Sequence, residues 1–187
     1  MNKIAEMLGY KEVTSIDGLD LSQWVKLGEI FLNDNKLSLN TTCLKEYRKN
    51  PRGRLYILTN NSKIVKIGGS QDKGGIEATI SAYFRGDIGK TESMRNYAIC
   101  KYMKQELLAG NRLEVYFLLL PIVEVEIPTF NGKKYKKEIP IDFHTVEKEF
   151  VDEYHKINGV YPDLNIQESN RTWKELGLSE GYVYKTN

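Results

Sequence analysis

The chain has 187 residues, 41% of them hydrophobic and 28% charged, which is long enough for one buried core with room for an added subdomain. No apolar run reaches the roughly 18 residues of a membrane span, and Met1-Asn2-Lys3-Ile4-Ala5-Glu6 lacks the apolar stretch of a secretory signal. The two cysteines, Cys43 and Cys100, lie in no Cys-x-x-Cys or Cys/His cluster, so they give no disulfide framework or zinc site to infer, and a reducing cytoplasm is expected.

In chain order, residues 1–50 read as a helical arm. Asp20-Leu21-Ser22-Gln23 opens a segment with Leu21, Trp24, Val25, Leu27, Ile30, Phe31 and Leu32, broad enough in apolar coverage to pack against something. Residues 45–53 are charged and contain Pro51, so they read as a loop entering the first strand. Gly53-Arg54-Leu55-Tyr56-Ile57-Leu58 and Lys63-Ile64-Val65-Lys66-Ile67-Gly68-Gly69-Ser70 flank a polar turn at Asn60-Asn61-Ser62 and predict a β-hairpin carrying Tyr56 and Lys66 on adjacent strands. Helices are expected over 76–84 and 93–108, an apolar strand pattern over 113–127, and a helix over 144–157 that ends before Tyr161-Pro162-Asp163-Leu164-Asn165. Between Ile127 and Ile139, Asn131-Gly132 reads as a hairpin tip followed by Lys133-Lys134-Tyr135-Lys136-Lys137, an exposed basic finger. The aromatic tail from Arg171 to Tyr184 is expected to cover one edge of the core, and no repeat or low-complexity tract is present.

The formal net charge of +2 hides an uneven distribution. It is −2 over residues 1–44 (4 basic, 6 acidic), +8 over 45–113 (14 and 6) and −4 over 114–187 (9 and 13). A phosphate-rich partner needs a local basic footprint of this kind; a lysine-rich solvated surface is the plain alternative. Ser70-Gln71-Asp72 after Gly68-Gly69 lacks the Gly-Lys-Ser/Thr ending of a phosphate-binding P-loop, so no nucleotide cofactor is expected. His144 and His155, eleven positions apart, match no metal-site spacing and read as surface or capping residues.

The hairpin with Arg-Leu-Tyr56 on one strand and Lys66-Ile-Gly68 on the other, the arginine-bearing helical stretch, the third strand, the glutamate-bearing helix and the asparagine after a short loop resemble, in this order, the GIY-YIG nuclease family. The resemblance spans roughly residues 53–165. It implies an α/β (α+β) fold with a small central antiparallel sheet flanked by helices, here with the N-terminal helical embellishment. The expected division is an arm at 1–50, a catalytic core at 51–167 with an inserted basic loop at 129–139, and a tail at 168–187 packing on the core.

The activity implied is hydrolysis of DNA phosphodiester bonds with Mg²⁺ (or Mn²⁺). Among family members a compact chain without a separate DNA-binding module looks most like a type II restriction endonuclease, with double-stranded DNA as partner and a two-fold dimer if its site is palindromic. A non-catalytic nucleic-acid-binding module, or a phage or homing nuclease on the same scaffold, is the alternative. The resemblance gives Tyr56 the role of general base or water-orienting group. A phenol begins near pKa 10 and would need nearby positive charge for the former. Lys66 stands where the family has its second tyrosine and can orient the water or hold the phosphate. The family arginine falls on Arg85 or Arg95, Arg85 being preferred because it follows the hairpin within one helix, and Tyr83 falls near a family histidine as a phosphate contact. On the helical wheel Val146, Phe150, Val151, Tyr154 and Ile157 share a face with Glu147 at its edge and Glu153 also flanking it. The resemblance, in which the glutamate sits four residues before an aliphatic position as Glu147 does before Val151, makes Glu147 the implied single carboxylate ligand for a hard divalent cation, with Glu149 and Glu153 as alternatives. Gly68 and Asn165 resemble supporting positions, Gly68 leaving room for close approach of DNA and Asn165 tying its loop to backbone. Lys133, Lys134, Lys136 and Lys137 are the candidate DNA contacts on the inserted loop.

Overall fold

The computed structural model describes residues 15–16, 19–87 and 93–182. The chain opens with two short paired strands, β1 (Ser15–Ile16) and β2 (Leu19–Asp20), then β3 (Val25–Asn33), β4 (Lys36–Thr41) and a single helical turn α1 (Lys45–Arg48). There follow β5 (Arg54–Asn60), β6 (Lys63–Ser70), α2 (Gly75–Phe84), a 3-10 turn at Arg85–Asp87, α3 (Met94–Leu108) and β7 (Leu113–Leu119). The last elements are β8 (Ile122–Pro128), β9 (Lys134–Pro140), α4 (Phe143–Asn158) and a short α5 (Ile166–Ser169).

The central element is a five-stranded, wholly antiparallel sheet in the order β4-β3-β7-β5-β6. Side chains alternate across it. Tyr56, Leu58, Val115 and Phe117 face a core completed by Ile76 and Ile80 of α2 and Ile99 and Met103 of α3. Leu55, Ile57, Ile64, Ile67 and Tyr116 face the other way, onto Val151 and Tyr154 of α4 and onto Leu21 and Trp24. This is the α+β sheet flanked by helices that the sequence predicts.

The helical arm is not what forms. Among the described residues of 1–50, only α1 is helical, and Val25–Asn33 is instead an inner strand held between β4 and β7. The physical reason lies at Asp34 and Asn35, both with positive φ (46° and 64°), a two-residue connection of the kind that turns strands back on themselves. Residues 1–14 of the expected arm lie outside the described residues. The β5–β6 hairpin turns the same way at Asn61 and Ser62 (φ 47° and 70°). The expected strand over 113–127 breaks at Leu120-Pro121 into β7, inside the sheet, and β8, which leaves it to pair with β9 alone. Ile157, expected on the apolar face of α4, is exposed. Trp173, Leu176 and Leu178 of the tail pack on the core, and residues 183–187 lie outside the described residues. No helix among the described residues is long and apolar enough to cross a membrane.

Candidate active site

β6 is an edge strand, and beside it lies a cavity of about 340 Å³ walled by Tyr56, Lys66, Tyr83, Arg95, His144 and Glu147. A smaller adjoining hollow shares Lys66, Arg95 and Glu147 and adds Asn165 and Glu168. Five elements therefore converge: the β5–β6 hairpin brings the tyrosine and the lysine, α2 the second tyrosine, α3 the arginine, and α4 the glutamate.

The hairpin register explains the first pair. Tyr56 lies opposite Gly68 and Lys66 opposite Leu58, so Tyr56 and Lys66 are diagonal neighbours on one face. A Cβ on Gly68 would fall inside the phenol ring of Tyr56. The tyrosine itself therefore requires a glycine at this position. A Cβ on Gly69 would stand 2.8 Å from Glu147 Oε2, and the Gly69 N–H instead donates to that carboxylate. Two adjacent glycines thus let a side chain settle on each side of the strand. Asn165 closes its free edge: Ile67 N–H donates to Asn165 Oδ1 (2.9 Å) and Asn165 Nδ2 donates to Ile67 O (2.9 Å). One buried side-chain amide thereby does what a neighbouring strand would do, as its position in the sequence suggested.

Burial dominates the electrostatics. The Tyr56 phenol is enclosed and its pKa rises well above the usual 10, first because burial penalises the phenolate and then because of Tyr83, whose hydroxyl is hydrogen-bonded to it. Burial raises Tyr83 as well. At neutral pH both phenols are protonated and one donates to the other. Lys66 is only 6% exposed, and burial lowers its pKa to about 8 against the opposing attraction of Glu147. Glu147 is raised by burial, with Lys66 and the Gly69 N–H pulling the other way. Lys66 and Glu147 are therefore both pushed toward their uncharged forms while each holds the other partly charged, a pattern typical of groups that move protons or bind ions.

The residues that the sequence left as alternatives lie in different places. Arg95, in the first turn of α3 behind its capping Ser93, lines both hollows; Arg85, at the end of α2, is exposed and is not among the lining residues. Glu147 lines the cavity, whereas Glu149 and Glu153 are solvent-exposed on other sides of α4. His144 is exposed, as read from sequence, and also stands on the cavity wall one helical turn before Glu147; that three-residue spacing was the available signal for the second fact. Gln167, from the short α5, also lines both hollows and carried no signal. The four lysines sit on the β8–β9 ribbon, with Lys134 bridged to Glu126 (3.2 Å) and Lys136 to Glu124 (2.7 Å).

No protein-family model matches the chain, and no curated protein matches it. Among solved structures, a mutant of bacteriophage T4 EndoII superposes with a TM-score of 0.50 at 16% identity, covering 89% of this chain and 98% of that one. The restriction endonuclease HPY188I in complex with product DNA gives a TM-score of 0.40 at 23% identity, over 75% of this chain and 78% of that one. The first likeness extends over nearly the whole described fold, and the chain shares its architecture.

Proposed function

We propose that the chain is a DNA endonuclease of GIY-YIG type that hydrolyses phosphodiester bonds with Mg²⁺ or Mn²⁺, and that it acts as a sequence-specific restriction enzyme. One observation carries the reading: residues placed on five different elements, each assigned a part from sequence order, line one cavity as Tyr56, Lys66, Tyr83, Arg95 and Glu147. The shared architecture with the phage endonuclease EndoII supports it.

Glu147 fits a hard divalent cation, being a carboxylate held in a hollow by the Gly69 N–H with room around it. Mg²⁺ keeps most of its waters and takes one or two carboxylates, so a single Glu147 is the kind of ligand it needs. When bound there, the cation supplies charge for the phosphate and the leaving oxygen.

The chain's own residues divide the remaining work. Lys66, lowered to about 8, holds a useful fraction of neutral amine near neutrality and takes a proton from the attacking water. Tyr56, protonated, orients that water through its hydroxyl rather than acting as a base. Arg95 projects from the first turn of α3, where the free N–H groups and the dipole favour an anion, and holds the scissile phosphate.

Incubating the protein with a mixed-sequence plasmid and Mg²⁺, then mapping the ends, tests the whole reading. One recurring cut sequence is expected, and a palindromic one carries a two-fold dimer with it. Duplex binding without nicking at any Mg²⁺ or Mn²⁺ concentration would leave a binding module instead.

A further inference from the structure

The β8–β9 ribbon pairs with no strand of the main sheet and is exposed or half-exposed along its whole length. Its register puts Val123, Val125, Ile127, Tyr135 and Ile139 on one face with Lys137 among them, and Glu124, Glu126, Lys134, Lys136 and Glu138 on the other with Ile122 at its root. At the tip stands Phe130, fully exposed. The turn that presents it is well tied. Thr129 N–H donates to Lys133 O (2.7 Å), Thr129 Oγ1 donates to Lys133 O (2.8 Å), Gly132 N–H donates to Thr129 O (3.0 Å) and Lys133 N–H donates to Asn131 Oδ1 (3.1 Å). A large aromatic ring held exposed on a braced turn has an entropic advantage for insertion into something else.

Charge says what that is. From the Glu126–Lys136 pair outward the ribbon carries three lysines, Lys133, Lys134 and Lys136, against one acidic residue, Glu126, whereas Lys137, Glu124 and Glu138 sit nearer the root. The outer part of the ribbon is thus cationic and ends in an apolar ring. Both bridged lysines remain about two-thirds exposed, so their pairs are weak and exchangeable. A two-stranded ribbon also matches the width of a DNA groove.

We propose that the ribbon enters a groove of the duplex and that Phe130 wedges between two base pairs at its tip, unstacking that step and bending the DNA, while the lysines hold the adjacent phosphates. Apolar wedges flanked by cationic side chains bend duplexes in this way by about 20–90°. This rests on the reading of the chain as a DNA-cleaving protein and adds how it grips and deforms its substrate.

The test uses the full chain and a duplex of about 30 base pairs carrying a cut site mapped for the wild type, with donor and acceptor dyes at its ends and Ca²⁺ replacing Mg²⁺. Phe130→Ala, a change at an exposed turn, should weaken duplex affinity by about tenfold or more, since stacking of an aromatic side chain on a base is worth that much. It should also abolish the shortening of the end-to-end distance and leave the salt dependence of binding unchanged. Phe130→Trp should retain the bend. If wild type cuts and binds but Phe130→Ala binds and bends equally, the wedge is refuted and the nuclease reading stands. If Phe130→Ala converts a dimer into a monomer in light scattering without altering the bend, Phe130 is a contact between copies and the proposal fails. If wild type neither cuts nor binds duplex, both readings fall together.

Discussion

The β5–β6 hairpin and the β8–β9 ribbon are the same local object: two antiparallel strands of seven or eight residues with a tight polar connection. In the first, alternate residues enter two different cores and nearly every side chain is buried; in the second, one face is mainly apolar, with Lys137 in it, and the strands are exposed or half-exposed. Strand pairing alone gives little stability, since a lone hairpin in water is marginal. Burial of both faces turns the first pair into a rigid scaffold able to hold Tyr56 and Lys66 in fixed positions, while exposure leaves the second free to adapt to a partner. Changes in the scaffold should therefore alter chemistry or folding, and changes in the ribbon should alter only what the ribbon touches.

The largest separation comes at Glu147, which leans over the scaffold from α4. Glu147→Gln should reduce Mg²⁺-dependent cleavage by about a thousandfold or more under single-turnover conditions, because the carboxylate that fits the cation is gone. Duplex affinity should stay the same or rise, one repulsive charge having left the phosphate site. Glu149→Gln, on an exposed face of the same helix, should cut normally. A dead Glu149 variant beside an active Glu147 variant would show that the cavity is not the reactive centre.

Within the scaffold, Tyr56→Phe deletes one hydroxyl and leaves the buried Tyr83 hydroxyl without its partner. Cleavage should fall by about a hundredfold or more, with DNA binding retained. Gly68→Ala asks more of the fold, since the added methyl must displace the Tyr56 ring; a loss of about 1–3 kcal/mol by urea unfolding is expected together with loss of cutting. Wild-type cleavage by either variant would remove Tyr56 from the mechanism.

Lys66 gives a smaller, pH-dependent effect. Its pKa of about 8 in the fold lies below the usual 10.5, so the unfolded chain binds more protons between those values and stability should rise with pH across that window. Below about 8 the buried ammonium is a standing cost. Lys66→Met should abolish that pH dependence and stabilise the protein near pH 7 by about 2 kcal/mol, while cleavage is lost. In the wild type the cleavage rate should climb with pH and level off above about 8. A rate that instead falls through that range would mean the ammonium, and not the amine, is the working form.

How much of this was legible beforehand depends on how local the signal was. The β5–β6 hairpin, α2, α3 and the glutamate helix announced themselves through turn residues and periodicity, whereas the wheel left Glu153 beside Glu147 and the preference for Glu147 rested on the family resemblance. Val25–Asn33 misled because Leu27, Ile30 and Phe31 satisfy a helical spacing as well as a strand; the pairing with β7, about 85 positions away, decides between them, and only Asp34-Asn35 hinted at it. The choice of Arg95 over Arg85 depends on how α3 docks against the sheet, which no local pattern encodes. The Tyr56–Tyr83 hydrogen bond was hidden for the same reason.

The smallest effects belong to the ribbon. Replacing Lys133, Lys134, Lys136 and Lys137 together by glutamine should change the unfolding free energy by no more than about 0.5 kcal/mol, because all four are exposed and their bridges to Glu124 and Glu126 are surface pairs. The same change should flatten the dependence of log affinity on log salt by about 0.9 for every phosphate those lysines neutralise. An unaltered slope would take the ribbon off the DNA, whatever the cavity does. A marked loss of stability would instead mean that the ribbon is packed against the body of the protein in solution, and the contrast between a buried scaffold and a free arm would not hold.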